Sequence, residues 1–461
     1  MNLKLYDYIV IGSGPSGLLV NGELANANLR GICLEKGDFV SSNTSDIYTP
    51  KQILKGYSKK GLNLLIGLPP LLLTEGECIG GGSTVNSSLH HRTPSYIWNK
   101  WIVKYGLKNL DYENALKLYE EIEDKFSSSI GNSQLPEFYK NASKVMKVQR
   151  IPRWGFHNKE GFERKTAYDV IKEYYPKSIS NIKTRIEVLK IVRENTSSFK
   201  VVCRDIASSK TAGFKVFRSK YLFLCAGAGN SPQMLSSLGY SHKRLGCFKV
   251  HPTARISLVP YEEQKYSEVV EPFQITEYFP ELMIGSSANR KFLSEINYPY
   301  KNNLRDFYSC LNLYSMAPSD NSGRIITKGL FKGLRFYSLS KEARTKIKFG
   351  LKKIIEISSM GIYSHAFSPA GEINLKSSTE RNLDKFLEST INKTLSSVHI
   401  FSSASCGENL DLCPVRSDGS VPNIKGLFVM DSSVIPSCPT VNPQSTVAVF
   451  ALNMIRQFLK S

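Results

Sequence analysis

Near the start of the chain, Gly12-Ser13-Gly14-Pro15-Ser16-Gly17 has the spacing with which a backbone holds a pyrophosphate. In this G-x-G-x-x-G arrangement Gly12 permits a tight turn, Gly14 lets the backbone approach the phosphates, and Gly17 lets a helix pack on the preceding strand. That helix, opened by Pro15 and Ser16, offers free N–H groups and a partial positive charge to an anion. Glu35 ends the next apolar stretch about 18 residues later, where such an acid bonds ribose hydroxyls. An acid at this place argues for an unphosphorylated ribose, hence FAD or NAD rather than NADP.

Three further segments bring backbone close to something flat or anionic. Gly80-Gly81-Gly82-Ser83-Thr84-Val85-Asn86 contains three adjacent glycines, which exclude helix and regular strand. Tyr221 to Cys225 is an apolar strand ending in Ala226-Gly227-Ala228, with Ser231-Pro232-Gln233 just beyond it. Leu427 to Met430 ends in Asp431 and Ser432; a carboxylate there either accepts from cofactor hydroxyls or caps a turn. Asn442-Pro443 precede a helix expected from about Thr446 to Leu459. Lys36, beside Glu35, and Val188, in the strand-rich stretch 182–224, complete the set assigned to a cofactor. Removing a hydroxyl proton while hydride leaves carbon needs a base, and histidine ionises near neutrality. The seven histidines stand at 90, 91, 157, 242, 251, 365 and 399. Residue type and spacing do not choose among them.

The elements that would position these residues are partly visible. Tyr6 to Ile11 reads as a buried parallel strand, Ser16 to Ala27 as a helix and Arg30 to Glu35 as a second strand, a βαβ opening. Residues 40–95 read as loop, 100–150 as helix, 250–340 as mixed and strand-rich, and 341–361 as an amphipathic helix with Ile347, Leu351, Ile354 and Ile355 inward. Leu62 to Leu73 is apolar but broken by Pro69-Pro70, and reads as a buried loop ahead of a channel lining or a lipid-touching surface.

The bulk composition narrows the classes. A length of 461 residues suggests more than one domain, and 41% hydrophobic residues exclude a disordered chain. Net charge is +20, from 60 basic against 40 acidic residues, without a run of five or six consecutive bases. Nucleic acid is not expected as a partner; the lysines read as scattered over solvated faces, with weak contact of the basic surface with an anionic substrate or a membrane as the alternative. Nine cysteines, an odd number without framework spacing, read as reduced core residues of a cytosolic protein, and no metal site is expected. No basic segment with a long apolar stretch precedes the first strand, so no secretory signal is expected, and no apolar run reaches a membrane span.

Taken together and in order, the four motifs resemble the glucose-methanol-choline (GMC) family of FAD-dependent oxidoreductases. Ile79-Gly80-Gly81-Gly82-Ser83-Thr84-Val85-Asn86 with Thr93-Pro94 is most similar to its cholesterol oxidase and long-chain alcohol oxidase branches. Gly246 with His251-Pro252 resembles its "G-x-N-x-x-x-H-P" segment, and Asp431, Ser433, Pro436 and Asn442-Pro443 resemble its C-terminal signature. The resemblance implies an α/β fold. A Rossmann-like FAD domain of the ββα-sandwich type is assembled from separated segments, beside a substrate domain built on an antiparallel sheet. The segments implied are 1–95, 181–250 and 396–461 for FAD, 96–180 as a helical insert and 251–395 for substrate.

The resemblance also implies roles. His399 takes the place of the base and Asn442 that of the group holding the substrate oxygen, although Ser402 and Ser405 depart from the family's glycine and arginine. His251 is implied to be structural, and His365 is the rival base. Val85 occupies the position where some members bond the flavin covalently through histidine, so non-covalent FAD is implied. Glu77 stands where an arginine is frequent, and Val20 and Asn21 where small residues are usual. The activity implied is oxidation of a CH–OH group, with oxygen or another acceptor, on a sugar or polyol (phosphorylated or nucleotide-linked included) or on a hydrophobic alcohol. The alternatives are a lyase that keeps FAD as structure and a basic FAD-scaffold binding protein. The protein is expected in the cytoplasm, or at the periphery of a membrane.

Overall fold

A computed structural model describes residues 4–41, 49–131, 135–158, 161–195, 198–206, 213–262, 271–286, 310–318 and 321–461. The strand Leu5–Ile11 lies between two parallel neighbours, Gly31–Leu34 and Phe214–Leu224. The long strand Phe214–Leu224 pairs antiparallel with Ser198–Asp205 over its first half and parallel with Leu427–Val429 over its last three residues. Ile186–Asn195 and Ile182–Lys183 complete a seven-stranded sheet. Residues 8–11, 31–34 and 222–224 are buried throughout, the continuous apolar pattern of strands covered on both faces. All the parallel strands end at one edge. There Gly12, Glu35, Cys225 to Gly227 and Asp431 meet, although up to 419 positions separate them in sequence (431 − 12).

The helix Pro15–Asn26 packs against the C-terminal helix Gln444–Lys460. Arg456 of the latter reaches Glu23 at 2.8 Å and Glu121 at 2.6 Å, joining both helices to Tyr112–Lys125. Asn21 is large for its place in the first helix because it is used: it accepts from Tyr8 Oη at 3.0 Å and donates to the Ser178 carbonyl at 3.1 Å.

The second sheet is ten-stranded and centred on Thr253–Pro260, which pairs antiparallel with Leu311–Met316 and with Tyr363–Ser368. Helices Lys341–Ser359 and Glu380–Thr394 pack against it. Ile347, Leu351, Ile354 and Ile355 point inward as their spacing predicts. Within 250–340, residues 263–270, 287–309 and 319–320 lie outside the described residues.

Three expectations are corrected. The stretch 40–95 is not simply loop. It holds the helix Pro50–Gly56 and the hairpin Asn63–Leu65/Leu71–Leu73. Leu62 to Leu73 is therefore not a buried loop: in that hairpin every second residue faces out. Three glycines in a row did not exclude helix, since Gly82 opens the single turn Gly82–Val85. Only Gly80 (φ 80°) and Gly81 (φ 50°) need the left-handed region. All nine cysteines are free, and eight are buried.

Candidate active site

Three glycine loops converge at the carboxyl edge of the parallel strands. Gly12 turns at φ 98° against the Cys225 carbonyl, where a Cβ would come within 2.3 Å of the oxygen. The Gly80 N–H donates to the Ser13 carbonyl at 2.9 Å. A Cβ on Gly81 would lie 2.8 Å from Gly14 Cα. On the other side of the same backbone, a Cβ on Gly14, Gly82 or Gly227 would meet no atom within 4 Å, so the loops frame open space.

The polar groups around that space have defined partners. Glu35 is buried; Oε2 accepts from the Ser13 N–H at 2.8 Å and Oγ at 2.7 Å, and Oε1 from the Gly37 N–H at 2.8 Å. Burial raises its pKa against those three donors. Asp431 Oδ2 accepts from the Gly227 N–H at 2.8 Å and Ser231 Oγ at 2.5 Å, and Oδ1 from the Ser433 N–H at 2.8 Å. It therefore caps a turn and ties two strand ends together, with its pKa likewise raised by burial. Ser432 Oγ accepts from the Ala228 N–H at 3.3 Å, beside Ala226 and Gly227. Lys36 bridges Glu77 at 3.1 Å and Glu187 at 3.5 Å, which gives Glu77 its place. Val188 lies two residues beyond Ile186, whose N–H donates to the Glu35 carbonyl at 2.8 Å.

This donor set fits a dinucleotide. The helix after Gly14 has no side-chain cap, and neither has the helix after Pro443. Asn86 donates to Gln444 Oε1, while Gln444 Nε2 is buried with no partner among the described residues. Arg164, which the sequence did not single out, pins the glycine turn by donating to the Ser83 carbonyl at 2.8 Å and the Thr84 carbonyl at 3.1 Å.

Two family models, both described as GMC oxidoreductase, match residues 6–162 and 335–451. The chain belongs to the GMC oxidoreductase family. It is accordingly an FAD-dependent enzyme that oxidises CH–OH groups. An uncharacterised GMC-type oxidoreductase of Sinorhizobium fredii is 25% identical, across 97% of this chain and 93% of that protein. A long-chain-alcohol oxidase of Arabidopsis thaliana is 22% identical, across 96% of this chain and 67% of its own. In fold, the chain is similar to a pyridoxine 4-oxidase from Mesorbium loti (TM-score 0.75, 15% identity, 99% of both chains). It is also similar to a formate oxidase from Aspergillus oryzae (TM-score 0.77, 13% identity, 100% and 99%).

In this GMC oxidoreductase His399 stands between the short strands Ser396–Ser397 and Ile400–Phe401. Its Nδ1 lies 3.0 Å from Nδ1 of His251, whose Nε2 lies 3.0 Å from Cys438 Sγ. His399 Nε2 has no hydrogen-bond partner among the described residues. Burial, then the charges of His251, His91 and Arg255, hold the His399 pKa well below 6.5. Burial pushes His251 down to about 3. Both rings are thus neutral at pH 7, and one proton lies between them.

Asn442 sits four residues past Cys438, half-buried, with no side-chain partner among the described residues. Val441 beside it packs with Met283, Tyr314 and Met316. Val441 also lines a cavity of about 340 Å³ with His91, Gln274, Phe279, Met283 and Ile151. His91 Nε2 meets Gln274 Oε1 at 2.9 Å, and Gln274 Nε2 donates to Tyr314 Oη at 2.8 Å. His91 Nδ1 is buried with no partner among the described residues, its pKa pushed down to about 4 by burial.

His365 pairs with Val259, six residues along its strand from Thr253, or roughly 20 Å at the usual strand rise. It is bonded to Ser364 and Asn374, away from the glycine loops. His251, read from the sequence as structural, touches the candidate base directly. Its place opposite His399 depends on the pairing of Lys249–Val250 with Ile400–Phe401, which no local pattern announces. A larger hollow of about 740 Å³, lined by Arg416, Lys425 and Gly426, lies at the other end of the strand that leads to Asp431.

Proposed function

We propose that the chain oxidises a hydrophobic alcohol, with His399 Nε2 taking the hydroxyl proton and Asn442 donating to the same oxygen. One observation carries this reading: His399 is anchored through Nδ1 to His251 at 3.0 Å and has no partner at Nε2 among the described residues, while burial holds its pKa well below 6.5. The bound FAD supplies the hydride acceptor, a role no side chain can fill. The proposed cofactor set is Gly12 to Gly17, Glu35, Lys36, Gly80 to Ser83, Asn86, Val188, Ala226, Gly227, Asp431, Ser432, Asn442 and Pro443. For His399 to be bare at Nε2, its proton must sit on Nδ1 and point at His251. His251 then carries its own proton on Nε2, donated to the Cys438 sulfur. Val441, Met283 and Phe279 support an apolar substrate body, and the His91–Gln274–Tyr314 chain supplies the few polar groups that orient it.

Two relatives named as oxidases support oxygen as the acceptor, and Val85 in place of a histidine supports non-covalent FAD. The test is anaerobic mixing of the purified protein with a series of straight-chain alcohols and with sugars, following the flavin absorbance. Bleaching by the alcohols, slowed by about 10²- to 10⁴-fold in His399→Ala, is expected. Bleaching by sugars alone would move the substrate class. Bleaching unaffected by His399→Ala would remove His399 as the base.

A further inference from the structure

Two hairpins form an exposed apolar face beside the catalytic segment. In Asn63–Leu65/Leu71–Leu73, Leu64 and Leu72 lie opposite each other and both face out, while Leu65, Leu71 and Leu73 are buried. Ile66 continues the outward row and bridges Phe336 of the second hairpin, Gly323–Ile325/Arg335–Phe336. A strand with one wet face should carry polar residues there; this one carries leucine and isoleucine on both faces. The loops at the two ends are more exposed still: Leu68 at 89%, Leu330 at 94% and Phe331 at 64%. Leu72 pairs with Ser396, and exposed Val398 follows two residues on, next to His399.

Four lysines stand next to this face in the chain. Lys59 and Lys60 precede Leu62, and Lys328 and Lys332 flank Leu330-Phe331. All four are exposed, and none has a carboxylate partner among the described residues. The chain's other basic stretch behaves differently. Lys346, Lys348, Lys352 and Lys353 each pair with a glutamate or aspartate. Unpaired cation is therefore available where the leucines are, and an apolar patch flanked by it complements an anionic lipid surface.

We infer that this face docks on a bilayer containing anionic lipid, with Leu68, Leu330 and Phe331 entering the headgroup–acyl boundary and the four lysines over the phosphates. Docking does not depend on which alcohol is oxidised, and it is read as binding rather than turnover.

The test is co-sedimentation of the full-length holoprotein with phosphatidylcholine vesicles and with vesicles of equal parts phosphatidylcholine and phosphatidylglycerol. Binding to the mixed vesicles is expected, weakened at least tenfold by Leu68→Ser/Leu330→Ser/Phe331→Ser or by glutamine at the four lysines, and weakened by salt. Unchanged flavin absorbance and melting temperature establish that both variants remain folded. The inference is overturned by no binding, by equal binding to neutral vesicles, or by serine variants that bind like the parent. A dimer that the serine substitutions dissolve would also overturn it, since a second copy would then cover the face.

Discussion

Replacing His251 with asparagine should change how stability depends on pH by an amount the structure fixes. His251 is fully buried between His399 and Cys438, and burial pushes its pKa down to about 3. In the unfolded chain a histidine titrates near 6.5. Below pH 6.5 the unfolded state therefore binds a proton that the folded state refuses until pH 3, so stability falls as pH falls through that window. At pH 5 the difference is about 1.5 pH units, or about 2 kcal/mol lost relative to pH 8. His251→Asn removes this term while keeping a polar group between its neighbours. His91 is depressed in both proteins and drops out of the difference, while His399 keeps the burial that dominates its shift and loses only the smaller contribution of His251. An unfolding entropy of roughly 2 cal/mol/K per residue makes about 1 kcal/mol equal to one degree for a chain of this length. The variant should melt below the parent at pH 8, and the gap should close by about 2 °C at pH 5. The assay is scanning calorimetry of both proteins from pH 8 to pH 5. A gap that stays constant would mean that folded His251 takes up a proton as readily as the unfolded chain, and would sink the claim that burial keeps it neutral in acid.

Because the His399 pKa lies well below 6.5, kcat/KM should be level from pH 7 upward and fall only in acid; a limb centred near pH 7 would contradict this. Cys438→Ala should lower kcat more than it raises KM, with Cys438→Ser recovering most of the loss, measured by steady-state kinetics with the bleaching alcohol. Equal effects of alanine and serine would mean that the sulfur only fills space. Gly81→Ala places a methyl group 2.8 Å from Gly14 Cα at a left-handed φ, so the purified variant should hold at least tenfold less flavin at equal protein concentration. Arg456→Met leaves Glu23 and Glu121 facing each other without their cation and should cost about 1–3 kcal/mol, seen as a lower melting temperature with the flavin spectrum unchanged.

The cofactor cradle was legible because its physics is local. A strand before the glycine and a helix after it are written within a few residues of Gly12 and Gly227, and adjacent glycines mark the turn at Gly81. The His251–His399 pair was not, because it arises from an antiparallel pairing across 148 positions and nothing near either residue encodes it. The leucine hairpin misled for a different reason. Hydrophobicity signals burial only on average, and at Leu64, Leu68 and Leu72 the outward side of a strand is apolar too. Arg164 and Arg335 were invisible as well. A buried arginine is defined by its partners, here the Ser83 and Thr84 carbonyls and Glu75, and those come together only in the fold.

The sheet that carries the cradle is completed by segments made long after its first strand. Leu427–Val429 docks on Phe214–Leu224, and Gln444–Lys460 covers the helix that Gly14 opens. During synthesis Leu5–Ile11 must wait for Phe214–Leu224, about 200 positions downstream, and Phe214–Leu224 for Leu427–Val429, about 200 further on. The edge where the glycine loops meet therefore waits for Asp431, and a ribosome stalled shortly before it would hold a polypeptide whose Gly227 turn lacks the carboxylate that ties it. A chain cut before Gln444 leaves the apolar side of Pro15–Asn26 open and should aggregate.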